Sequence, residues 1–93
     1  MSYITELADR IRSRVSPDLV PEEDATRLFL IYAALALAKG EATTPRDVHN
    51  AWAAWMAERD PTHGSLQPFE KLDPEKQAED DPFVAAIRSA LAG

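Results

Sequence analysis

Apolar residues recur at helical spacing in several stretches of this chain, and residues that start or stop helices stand between them. In Tyr3–Val15, the side chains of Ile4, Leu7, Ala8, Ile11 and Val15 fall at i, i+3, i+4, i+7 and i+11, one face of an amphipathic helix. Ser16-Pro17 ends it, because proline drives the preceding residue out of helical geometry. A second helix is predicted to begin near Pro21, with Glu22, Glu23 and Asp24 at the positive end of its dipole, and to close at Gly40. Its stretch LFLIYAALALA is apolar nearly all round, so this helix should be the central one, contacted on several sides.

The third helix opens with Thr44 as N-cap, Pro45 at the first position and Asp47 three residues after the cap, a variant of the capping box. Val48, Trp52, Trp55 and Met56 then fall at i, i+4, i+7 and i+8, and Asp60-Pro61 terminates the run. The spacing favours Trp52 for the core, along with Phe69 downstream. Trp55 lies some 300° round the helix from Trp52, so it is expected half exposed at a pocket rim or subunit contact.

The connection from Asp60 to Leu72 is 13 residues, long for a compact bundle, and Leu66, Phe69 and Leu72 are placed to pin it down as an ordered strap. Pro68 holds Gln67 extended. Two cap-proline pairs, Asp73-Pro74 and Asp81-Pro82, start a short helix and a final one whose buried stripe is Phe83, Val84, Ile87 and Leu91. Alternating runs rich in valine, isoleucine and threonine are missing, which argues against paired strands. The expected fold is all-α: a small bundle of four to five helices with one ordered extended strap. Residues 1–93 make a single domain, divided into an N-terminal helical pair (1–40) and a helix-strap-helix segment (44–92).

Composition narrows what this bundle can do. The chain has no cysteine, so disulfides, thiolate metal sites and cysteine nucleophiles are out of reach. Net charge is -6, and 56–82 holds eight acidic against three basic residues. A phosphate-binding surface needs the opposite sign, so nucleic acid is not an expected partner. The longest apolar run, Leu28 to Ala38, has 11 residues, short of the roughly 20 that cross a bilayer. The N-terminus lacks a basic flank followed by an apolar stretch. A cytoplasmic protein with no membrane partner is the expectation.

Reactive groups are few. His49 and His63 are the histidines, and no histidine pair stands at the i, i+4 spacing of a helical zinc site, so no metal is expected. Ser65 follows Gly64 without a strand-to-helix nucleophile motif around it, and turn chemistry accounts for the pair. Glu79, Asp80 and Asp81 are adjacent acids at a helix boundary, where solvation or capping is the usual role. The residues therefore argue against an enzyme, and no catalytic residue or cofactor is assigned.

The segment VHNAWA followed by HGSLQPFEKLDPEKQAEDDPF and an amphipathic helix resembles the ryanodine receptor repeat, the RyR domain. Its His-x-x-Trp-Ala signature falls on His49, Trp52 and Ala53. Its strap falls on His63, Leu66, Pro68, Phe69 and Leu72, and its short helix and closing helix on Gln77, Asp81 and Pro82. The chain departs from the family in having only Ala54 to Thr62 where a longer insertion is usual, and Gly64 where proline follows the histidine. It also looks like small actinobacterial or phage-type proteins with an LVP, LF.LYA and DVH.AWA pattern, and its alanine and arginine usage suits a GC-rich genome.

The RyR resemblance implies a non-enzymatic binding module, with pairing into a homodimer as the channel's repeats pair. Prokaryotic members are proposed to sense nucleotide-derived ligands, which would place a ligand at His49, Trp52, His63, Gln67 and Phe69, where helix and strap meet. The alternative is an acidic interaction or regulatory factor of bacterial or phage origin that binds a basic protein partner and no small ligand. A concave site ringed by both histidines and an aromatic favours the first. Two imidazoles closed into a core favour the second.

Overall fold

Local capping signals set most of the helix starts. A computed structural model describes residues 2–93, and the regular elements among them are all helical. They are α1 (Tyr3–Ser13), α2 (Ala25–Lys39), α3 (Pro45–Arg59), the single short turn-and-a-half α4 (Pro74–Ala78) and α5 (Asp81–Ala92), with 3₁₀ turns at Pro17–Leu19, Gly40–Ala42 and Phe69–Lys71. Ser2 caps α1 by accepting the Thr5 N–H at 3.2 Å. At α3 the capping box is complete: the Asp47 N–H donates to Thr44 Oγ1 at 3.2 Å, and the Thr44 N–H donates to the Asp47 carboxylate at 2.9 Å. Asp73 starts α4 by accepting the Lys76 N–H at 3.0 Å. No helix among the described residues is long and apolar enough to cross a membrane.

Three boundaries differ from the sequence expectation. α1 stops at Ser13, and Val15 is buried from a tightened turn in which its N–H reaches the Arg12 carbonyl. α2 starts at Ala25 and not near Pro21, because Asp24 takes a left-handed conformation with φ 48° that a continuing helix does not allow. That conformation is held from a distance. The Trp55 indole N–H donates to the Asp24 carbonyl at 3.2 Å, and Arg59 bonds the Asp24 carboxylate at 2.8 Å, both from α3. The third difference lies at α5, whose first residue is Asp81, leaving Asp80 as the flanking position with no side-chain capping bond.

α2 is the central helix and packs against α1, α3 and α5. Its Leu28, Phe29 and Tyr32 meet Ile11 from α1, Val48 from α3 and Ile87 from α5, all essentially without solvent exposure. Burying each such side chain contributes about 1.5–3 kcal/mol. Gly40, at φ 56°, closes α2 in a backbone region that favours glycine. Beyond it Thr43 is fully buried, its hydroxyl donating to the Gly40 carbonyl and its own carbonyl accepting from Arg88 on α5.

The tryptophans exchange the roles expected of them. Trp55 is buried, 3% exposed, while Trp52 is half-buried. Val48 and Trp55 stand seven apart on the same row of α3 and are both buried, whereas Trp52 lies on the row of His49 that the strap covers only in part. Phe69, also expected in the core, is half-buried. The strap is a succession of turns: the His63 N–H reaches the Asp60 carbonyl, Leu66 reaches His63, and Lys71 reaches Pro68. Leu66, Phe69 and Leu72 are half-buried beneath it, consistent with a pinned segment.

Candidate functional site

His49 joins the third helix to the strap. Its Nε2–H donates to the Gln67 carbonyl at 2.7 Å, so the neutral ring keeps its lone pair on Nδ1. The ring lies nearly parallel to Trp52 at 5.7 Å and tilted against Phe69 at 6.1 Å. Trp52 in turn meets the edge of His63 at 5.2 Å. His63 has the same tautomer, because its Nδ1 accepts the Ser65 N–H at 3.0 Å and the hydrogen must therefore sit on Nε2.

The His49, Trp52 and His63 rings form one side of a concavity of about 430 Å³, within the range of small-ligand pockets. Tyr32 of α2 and Phe83 of α5, 5.5 Å apart, form another part of the lining. Lys76, Glu79 and Asp80 supply its charge, from the corner where α4 passes into α5.

Asp80 is the unusual member. Had α5 begun one residue later, Asp81 would be its cap; with the helix starting at Asp81, the half-buried Asp80 carboxyl lines the pocket and caps nothing. Burial pushes its pKa up to about 6; the neighbouring His49 pulls the other way, and Glu79 and Asp81 add to the rise. Burial, helped by the Asp80 charge, pushes the Tyr32 phenol upward as well, so its hydroxyl remains a donor.

The raised carboxyl has a consequence for stability. The folded protein prefers protonated Asp80, so this group's contribution is fully present below the ordinary aspartate range and is lost as pH rises from about 4 through about 6. Asp80→Asn is expected to raise the melting temperature at pH 7, with the gain shrinking to nothing near pH 4. Solvent screening of a half-exposed group keeps the gain modest. Melting curves of the two proteins at several pH values check this, and a gain independent of pH would contradict it.

Of the five residues expected at a ligand site, His49, Trp52 and His63 line the pocket. Gln67 and Phe69 do not. Gln67 serves through its backbone carbonyl, and its side-chain amide turns back to the Gly64 carbonyl at 2.7 Å. Phe69 packs beside His49, and its carbonyl accepts from Gln77. Sequence reasoning missed Tyr32, Asp80 and Phe83. The doubled aspartate before Pro82 is the one local sign that a cap-type residue had been left over. Among the described residues, no group of three or more metal-ligating side chains comes together.

No curated protein and no solved structure matches the chain. The resemblance to the ryanodine receptor repeat is overturned, because the family model that does match is a different one and covers residues 2–92, including the two N-terminal helices that lay outside the RyR signature. The residues that suggested it have local explanations: His49, Trp52 and Ala53 follow helical spacing on α3, and Leu66, Phe69 and Leu72 pin a strap. With that correction made, the match over nearly its whole length decides the matter, and the chain belongs to the family described as Domain of unknown function (DUF7701).

Proposed function

We propose that this protein is a non-enzymatic binding module for a small organic ligand, held in the pocket between α2, α3, the strap and the start of α5. The observation that carries the reading is a concavity of about 430 Å³ lined by His49, His63, Trp52, Tyr32 and Phe83. Ligand pockets combine apolar and aromatic walls with a few polar groups, and this one has that composition. The bonding of His63 supports a role without catalysis: its Nδ1 lone pair is engaged by the Ser65 N–H, and a serine nucleophile at Ser65 would need that acceptor.

A nucleotide-derived ligand and a homodimer were both implied by the RyR resemblance and lose that support with it. The pocket's lysine, Lys76, stands 3.6 Å from Glu79, a poor arrangement for phosphate. The interaction-factor alternative needs an exposed acidic face. Glu58 and Glu70, two acids of the acidic stretch, are already paired with Arg27 and Arg46 at 3.1 and 2.7 Å.

The test uses the two tryptophans separately. In a Trp55→Phe variant Trp52 is the remaining indole of two, so its emission reports on the pocket wall. Against a panel of small neutral, cationic and anionic ring compounds, at least one class is expected to change Trp52 emission and raise the melting temperature of the unmodified protein. A ligand at a hundred times its Kd stabilises by about 2.7 kcal/mol. A panel that does neither overturns the reading.

A further inference from the structure

We infer that the pocket takes a compact arylalkyl amine in its ammonium form, with Asp80 as counter-ion and the Trp52, Tyr32 and Phe83 rings as walls. The inference rests on the ligand-binding reading above and names the chemistry that the site selects.

The lining carries one cation, Lys76, against two acids, Glu79 and Asp80. Lys76 is matched by Glu79, which leaves the charge of Asp80 uncompensated by any ion pair among the described residues. A bare carboxylate half-buried among rings is costly to maintain, and a ligand cation compensates it directly. The rings favour the same ligand. Their faces are electronegative and attract cations, most strongly at tryptophan, and their area suits a flat apolar body.

Hydrogen-bonding capacity agrees with this assignment. His49 Nδ1 and the Asp80 carboxylate are acceptors, the complement of an ammonium N–H. The titratable and charged groups around Asp80 are Tyr32 on α2, His49 on α3, His63 on the strap, Lys76 and Glu79 at α4, and Asp81 on α5. Among these, Lys76 is the only lysine or arginine. An anionic ligand would have to displace Glu79 from it and face Asp80 unscreened.

Three probes that share one phenethyl group and differ in head charge make the test: phenethylamine, 2-phenylethanol and 3-phenylpropanoate. Each is titrated into the isotope-labelled protein while the Trp52 indole N–H and the Asp80 and His63 backbone amides are followed by NMR. The amine is expected to bind at least tenfold more tightly than the alcohol, with the carboxylate weakest. In Asp80→Asn the amine's advantage is expected to vanish while the alcohol binds as before, which also shows that the variant is folded. Equal binding of all three probes in both proteins overturns the charge assignment and leaves the pocket reading standing, as does tightest binding of the carboxylate. If no probe shifts the pocket signals, the arylalkyl-amine assignment is overturned, and the broader panel decides the pocket reading by itself.

Discussion

Trp55→Ala is expected to lower stability by about 3–5 kcal/mol, the usual cost of removing a large buried aromatic. That is a large share of the total for a domain of this size, roughly 5–14 kcal/mol by per-residue scaling. The melting temperature should fall by about 10 °C or more. The loss has several parts. The indole is 3% exposed, its N–H bonds the Asp24 carbonyl, and the Arg59 guanidinium lies 4.8 Å over its ring. Removing it also releases Asp24 from the left-handed turn that starts α2. Trp52→Ala, by contrast, should cost less than half as much, since that ring is half-buried on the pocket wall. Urea titrations of both variants check the order, and equal losses would show that the two indoles have been assigned to the wrong environments. Trp55→Phe should recover most of the packing and leave a deficit of about 0.5–1.5 kcal/mol for the indole hydrogen bond.

Phe29→Ala is expected to cost a similar amount, about 3–5 kcal/mol. Phe29 is 1% exposed and meets the edge of Tyr32 at 5.5 Å and Phe83 at 6.5 Å, with Arg12 of α1 at 5.8 Å over its ring. Three helices therefore meet at this one side chain. Because Tyr32 and Phe83 line the pocket on the other side, the cavity left by alanine should let both rings relax and weaken whatever ligand the pocket holds. Phe29→Leu, which refills part of the volume, should restore most of the stability. Chemical denaturation with all three proteins tests the sequence of effects. A loss below about 1.5 kcal/mol for alanine, the range of mild core changes, would mean that the site collapses without a cavity.

The sequence was most legible where structure is decided within one turn. Thr44 and Asp47, and Asp73 before Pro74, cap helices through bonds spanning three residues, so the pattern alone locates them. The apolar stripe of α1 and the all-apolar α2 gave the bundle for the same reason. What remained hidden depends on distant partners. The start of α2 is fixed by Trp55 and Arg59, 31 and 35 residues away from Asp24. α3 is contacted by α2, α5, α4 and the strap, and periodicity marks its rows as apolar without saying which is the drier. Tyr32 was lost in a stretch where every residue looks like core, and Asp80 was hidden because two adjacent aspartates offer the same chemistry to one helix end.

The contact between α1 and α5 couples the two ends of the described chain. Neither helix completes its buried face until the other has docked, since Leu7 and Ile11 on one and Ile87 and Ala90 on the other belong to a common core. Opening α5 therefore exposes α1, and the amides of both should exchange with solvent deuterium at rates set by global unfolding. The pocket, with one wall on α5 and another on α2, inherits that cooperativity. A ligand bound there slows exchange in α1, a helix that contributes nothing to the pocket lining.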